Sequence, residues 1–131
     1  MTVSLDLTAS RNVAWAPTIN LYYRGAPIPI AGGSVKLQVR LYAGAPGGAL
    51  ADLSNVPFLD TAVADQPGVR LLSLYPRITA ATLKSFPTGL NKPEPGQADA
   101  YAYDSVVTYS DGQQDKLAIG AFILEPGVVN P

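Results

Sequence analysis

The sequence predicts a single all-β domain built as two packed layers, and three observations predict it. Short runs of alternating apolar and polar residues recur along the 131 residues, twelve Gly and twelve Pro separate them, and only one stretch has helical character. A chain of this length is one domain, residues 1–131, and can bury a core without metal or disulfide support.

Val3, Leu5 and Leu7 alternate with Ser4, Asp6 and Thr8, which predicts a half-buried first strand whose terminal position puts it at an edge. Pro17 lacks an amide hydrogen and breaks the extended run that starts at Val13-Ala14-Trp15-Ala16. Ile19-Asn20-Leu21-Tyr22-Tyr23 resumes it as far as Arg24-Gly25. In Ala26-Pro27-Ile28-Pro29-Ile30 two prolines fix φ and block ladder bonds on one side, so a short edge segment is expected. Val35, Leu37, Val39 and Leu41 against Lys36, Gln38, Arg40 and Tyr42 predict a central strand with one wet or interfacial face.

Residues 43–48 form a Gly/Pro-rich loop. Residues 50–63 read two ways: Ala49-Leu50-Ala51-Asp52-Leu53 suits a helical turn, whereas Asn55, Pro57 and Phe58-Leu59 fit a strand better. After the turn signal Gln66-Pro67-Gly68, Val69-Arg70-Leu71-Leu72-Ser73-Leu74-Tyr75 is a strand stopped by Pro76. The one short helix is expected near residues 79–86, with Thr79 as N-cap and Pro87 ending it. Residues 88–98 are a loop, since Pro93-Glu94-Pro95-Gly96 forbids regular structure.

Residues 100–124 carry the strongest signal, two strands joined by a turn. Tyr101, Tyr103, Val107 and Tyr109 share one parity and one sheet face, and Asp111-Gly112 supplies the positive φ of a tight hairpin. The second strand starts polar at Lys116 and becomes continuously apolar to Leu124, as a strand does beneath a second layer. The tail, residues 125–131, suits a docked terminus or a short arm reaching a neighbour.

Composition bounds the chemistry. Nine Lys and Arg against ten Asp and Glu, with no basic run, lack the electrostatic footprint of nucleic-acid binding. With no Cys there is no disulfide framework, thiolate metal site or cysteine nucleophile. With no His, the usual general base near neutral pH and the commonest metal ligand are gone as well. The N-terminal residues lack a basic lead and carry Asp6 within their apolar stretch, so no signal peptide is expected. No apolar run approaches membrane-spanning length. Synthesis in the cytoplasm and any later placement by assembly are the expectation. Charged residues make up only 15% of the chain, which points to surface covered by other protein chains.

Read in order, the chain contains Gly25-Ala26-Pro27-Ile28-Pro29-Ile30, Val35-Lys36-Leu37-Gln38-Val39-Arg40, Val69-Arg70-Leu71-Leu72-Ser73-Leu74, Thr79-Ala80-Ala81-Thr82-Leu83, Tyr101-Ala102-Tyr103-Asp104, Asp111-Gly112, Leu117-Ala118-Ile119-Gly120 and Gly127-Val128. This succession resembles the small immunoglobulin-like virion structural proteins of tailed bacteriophages and prophages, from their tail, baseplate and receptor-binding genes. It is also similar to the N-terminal domain of baseplate upper proteins. The resemblance covers the chain from about Gly25 onward, with Ser105 standing where an apolar residue usually follows the Tyr-Asp pair. It implies an immunoglobulin-like antiparallel β-sandwich acting as a tail, baseplate or fibre-region adaptor in the virion of a bacterial host. Its partners would be other virion proteins and further copies of itself, with no catalytic residue, cofactor or membrane insertion. A capsid decoration protein is a variant of the same role.

Individual constellations weigh less. Asp60 with Asp65, or Asp111 with Asp115, lacks the ligand spacing of a calcium loop and reads as solvated acids. Gly44-Ala45-Pro46-Gly47-Gly48 lacks the Lys-Ser/Thr and following helix of a phosphate cradle. Tyr22, Tyr42, Tyr101, Tyr103 and Tyr109 suit core or subunit-interface positions; the alternative is a platform for a host-surface saccharide. Arg40 and Asp104 sit among apolar strand residues, and a mutual ion pair that sets register is expected of them.

Overall fold

A computed structural model describes residues 2–88 and 96–128; the Pro-rich centre of the loop predicted over 88–98 and the last residues of the tail, 129–131, lie outside the described residues. The chain forms β1 (Val3–Ser4), β2 (Leu7–Ser10), β3 (Ile19–Arg24), β4 (Ser34–Arg40), β5 (Ala51–Leu53), β6 (Phe58–Ala62), β7 (Val69–Leu74), α1 (Ala80–Lys84), β8 (Asp99–Thr108) and β9 (Gln114–Glu125). The larger sheet runs β1-β9-β8-β4-β5 with β2 also on β9, and the smaller runs β3-β7-β6. These two orders reproduce the C′-C-F-G and B-E-D halves of an immunoglobulin-like sandwich, so the chain is an all-β sandwich with one short helix. Among the described residues no helix is long and apolar enough to cross a membrane.

Alternation decides which faces meet. In β4, Val35, Leu37 and Val39 are fully buried while Lys36 is exposed and Gln38 half-buried. They face Leu21, Leu72 and Leu74 of the smaller sheet within one core cluster. Each such side chain contributes roughly 1.5–3 kcal/mol on leaving water. Trp15 joins this core edge-on to Phe122 at 5.0 Å, and its indole N–H donates to Thr8 O at 3.0 Å.

The β8–β9 hairpin turns through three residues, Ser110, Asp111 and Gly112. Tyr109 N–H bonds Gln113 O at 2.8 Å, Gly112 takes φ 88°, and the Asp111 carboxylate accepts from Gln113 N–H. A bulge opposite Ser105/Val106 inserts Leu117, which lets the consecutive residues Leu117 and Ala118 both enter the core. Ser105 is itself 1% exposed, and its hydroxyl has no partner among the described residues.

Several expectations are corrected. Residues 26–30 are not a strand: Pro27 and Pro29 cannot donate, and the chain folds back through Ile30 N–H to Ile28 O and Gly33 N–H to Ile30 O. Residues 51–53 pair with β4 as β5, so the helical-turn alternative there fails. The helix is a single turn and a half, with Thr79 capping it as predicted by accepting from Thr82 N–H. The first strand takes the expected edge but is split, and both β1 and β2 run parallel to β9. The apolar run of β9 does pass beneath the second layer, with Leu117, Phe122 and Leu124 buried there, while its other face leaves Ile119 38% exposed.

The N-terminal segment crosses β9 at Gly120. A Cβ there would stand 2.2 Å from Leu5 O, so only glycine admits this approach. Asp6 accepts the Ala121 N–H at 3.0 Å in place of a ladder carbonyl, and the Tyr103 hydroxyl, opposite Gly120, donates to Leu5 O. Burial, with Asp6 adding repulsion, pushes the Tyr103 pKa from 10.0 up to about 12.

A second anchor is Arg11, just beyond β2. Its guanidinium donates to Leu83 O (3.2 Å) and Phe86 O (2.8 Å) at the end of α1, to Asp99 Oδ2 (3.2 Å) and to the Tyr101 hydroxyl (3.3 Å). Tyr101 in turn donates to Pro87 O, which ties the start of β8 to the chain that leaves α1. Phe86 packs edge-on to Tyr101 at 5.2 Å beneath it.

Two outcomes are expected. Arg11→Met withdraws the cation from a nearly buried carboxylate and the donors from two helix-end carbonyls, and should cost about 3 kcal/mol in urea unfolding. Adding Asp99→Leu should recover part of that loss, and additivity would show that the two side chains act independently. For Tyr103, the unfolded chain releases its proton near 10.0 and the folded chain only near 12. Stability is therefore intact below pH 10 and falls as pH climbs toward 12. Thermal midpoints measured across that window should drop less steeply in Tyr103→Phe.

Candidate interaction surface

The face of the larger sheet turned away from the core is built from the alternate residues of three strands. β4 contributes Lys36, Gln38 and Arg40, β8 contributes Ala102 and Asp104, and β9 contributes Lys116, Ile119, Ala121 and Ile123. Small side chains sit at its centre because Ala102 of β8 faces Ala121 of β9. Longer ones surround them, which leaves a depression of about 500 Å³ lined by Gln38, Arg40, Ala102, Asp104, Lys116 and Ile119 together with the edge of the following loop. Its apolar part is continuous along β9, with Ile119 exposed and Ala121 and Ile123 half-buried.

The polar rim is held from within the chain. Arg40 donates to Ala45 O (3.2 Å) and Gly47 O (2.7 Å) and to Gln38 Oε1 (3.3 Å), which fixes the loop after β4 as one wall. Lys116 and Asp104 approach to 3.3 Å with both side chains 42% exposed. Lys36 and Asp52 approach to 3.7 Å further along.

The expected Arg40–Asp104 pair is thus corrected. The two residues are on adjacent strands and the same face, but the register sets Gln38 opposite Asp104 and Ala102 opposite Arg40. Offset by two positions, each finds a nearer partner: loop carbonyls for the guanidinium, Lys116 for the carboxylate. Neither charge is stranded, and register is set by the apolar faces.

The five tyrosines separate. Tyr101 and Tyr103 are 4% and 3% exposed with hydroxyls bonded inside the chain, so recognition roles for them are corrected to core roles. Tyr109 is half-buried and donates to Asp115 Oδ2 at 2.9 Å, and burial followed by that carboxylate raises its pKa. Tyr22 and Tyr42 are 59% and 55% exposed, but Tyr22 lies on the smaller sheet and Tyr42 follows β4 of the larger, so the five make no single platform.

Sequence reasoning missed the Arg11 cluster and a second polar group at the mouth of the sandwich. There the Tyr23 hydroxyl donates to Asp60 Oδ2 (2.7 Å) and accepts from Arg70 Nε (3.2 Å) and Ile28 N–H (3.3 Å). Burial first, and Asp60 next, raise the Tyr23 pKa. The only advance signal was parity, since Tyr23 continues the inward series Ile19, Leu21. Among the described residues no three His, Cys, Asp or Glu side chains gather as a metal site. No protein-family model matches the chain, and neither does any curated protein.

Because the rim charges are solvent-screened, Asp104→Ala should change stability by less than about 1 kcal/mol. Combined with Arg40→Met it should be additive in a thermal melt. A coupling above about 1 kcal/mol would restore the direct pair.

Proposed function

We propose that the chain is a virion structural protein of a tailed bacteriophage or prophage, an adaptor of the tail, baseplate or fibre region that docks through the outer face of its larger sheet within a symmetric assembly. One observation carries the docking part: β9 is apolar on both faces, yet the sandwich covers only one, leaving Ile119, Ala121 and Ile123 in a row beside a depression of about 500 Å³. Adjacent apolar strand residues on an uncovered face, ringed by satisfied charges, match the anatomy of a protein interface with an apolar centre and a polar rim. The low charge content is supporting, because the surface otherwise has little to keep it apart from neighbours. The virion setting rests on the resemblance of the ordered segments. Several of these form the core strands: Val35-Lys36-Leu37-Gln38-Val39-Arg40 is most of β4, and Val69-Arg70-Leu71-Leu72-Ser73-Leu74 is β7.

A saccharide-binding role draws on exposed Tyr22 and Tyr42 alone, and these stand on different sheets. Ile119→Lys with Ala121→Lys is the direct test. Both side chains point outward, so the melt should stay within about 1 kcal/mol of the parent. The variant should be lost from purified particles produced by the genome that encodes it. Retention at the parental copy number would refute the docking face, and binding of the parent to a glycan array would favour the saccharide role. Recovery on capsids rather than tails would reassign the same face to capsid decoration.

A further inference from the structure

Among the described residues the smaller sheet has two open edges, and its ladder fixes which backbone groups each presents. Gly25 N–H bonds Gly68 O at 3.0 Å, and the register of β3 on β7 places Tyr23 with Arg70, Leu21 with Leu72 and Ile19 with Leu74 in the same series. In an antiparallel ladder every second residue bonds the partner strand with both its N–H and its C=O, and the residues between point both groups the other way. Asn20, Tyr22 and Arg24 therefore aim their N–H and C=O groups out of the sheet, where nothing among the described residues pairs with them. On the opposite edge, Tyr75 N–H to Pro57 O and Val63 N–H to Val69 O leave Phe58, Asp60 and Ala62 outward by the same alternation.

We infer that β3 is a self-pairing edge: two copies of the chain join β3 to β3 antiparallel about a two-fold axis at Tyr22, fusing their smaller sheets into one. The three outward residues are symmetric about Tyr22, so Tyr22 meets its own copy and Asn20 meets Arg24 of the second copy, each pair exchanging two backbone bonds. Side chains agree with this register. Asn20, Tyr22 and Arg24 are all exposed on one face, which sets tyrosine beside tyrosine and a guanidinium beside an amide oxygen. Asn20 Oδ1 already accepts from Ser73 Oγ at 3.1 Å and keeps a second lone pair for the Arg24 cation. No like charges oppose each other.

The β6 edge does not meet these conditions. The same symmetric pairing would centre on Asp60 and set two carboxylates opposite each other, and Pro57 stands at its entry. An inward charge and a proline are the usual guards of a strand edge, and β3 carries neither within Ile19–Arg24. β5, at the rim of the larger sheet, is only three residues long. This site is on the other sheet from the proposed docking face, and each is tested without the other.

The test is sedimentation across concentration combined with amide exchange of the unmodified chain. Mass should rise toward that of a dimer, and the amides of Asn20, Tyr22 and Arg24 should gain protection with it while those of Phe58, Asp60 and Ala62 do not. Tyr22→Pro removes an N–H unused inside the chain and two bonds per dimer, so dissociation should strengthen about 10- to 100-fold. Ala62→Pro on the other edge and Ile119→Lys on the larger sheet should leave the dimer unchanged. A monomer at the highest soluble concentration would overturn the inference. So would concentration-independent exchange at Asn20, Tyr22 and Arg24, or a dimer weakened by either control and not by Tyr22→Pro.

Discussion

Arg11 is the interaction on which the closed end of the sandwich depends. A five-residue helix cannot hold itself together in water; Ser85 N–H and Phe86 N–H close its end on Thr82 O and Leu83 O, but the turn still needs an anchor to the sheets. One guanidinium adds a second donor to Leu83 O, meets Phe86 O just beyond the helix and, through the same planar fork, reaches Asp99 and Tyr101 at the start of β8. It thereby ties the chain after β2, the connection between the sheets and the longest hairpin into one unit. In a domain without cysteine this polar knot is a cross-link made from hydrogen bonds and one ion pair.

The opposite flank is closed differently. β1 and β2 pair along the free edge of β9, but the chain can change its line between them only because Gly120 lets the Leu5 backbone pass and Asp6 takes over an amide that the ladder would leave bare. Tyr103 then lies across the glycine and ends on Leu5 O, which restores the apolar cover that a missing side chain removes. The larger sheet thus has one rim capped by the N-terminal strands and the other by a three-residue strand. Among the described residues the smaller sheet has no such caps. The asymmetry divides the surface into an apolar face on one sheet and a free backbone edge on the other.

Much of the fold was legible in the sequence, and the reason is period. Val35, Leu37 and Val39 repeat with the two-residue step of a half-buried strand, and Thr79 before Ala80-Ala81 has the oxygen an N-cap requires. Where two physical rules competed, the sequence could not decide. Pro27 and Pro29 are compatible with an extended edge or a tight fold-back, and the turn was settled by Ile30 reaching the core. The interaction surface was less legible. Arg40 and Asp104 were rightly assigned to neighbouring strands, but side-chain pairing depends on a two-residue offset that no composition reveals. Arg11 was invisible because its partners stand 72 to 90 positions away in the chain.

The burial of β9 carries the last step. A strand that is apolar at Leu117, Ala118, Ile119, Ala121, Phe122, Ile123 and Leu124 has more apolar residues than one covered face takes. The bulge at Ser105/Val106 accounts for two of those residues by turning Leu117 and Ala118 to the same core, and the pleat accounts for Phe122 and Leu124. Ile119, Ala121 and Ile123 have no such explanation within the folded chain. They lie outside the core of the sandwich, whereas a partner laid over the sheet would make the same residues the centre of a second buried layer.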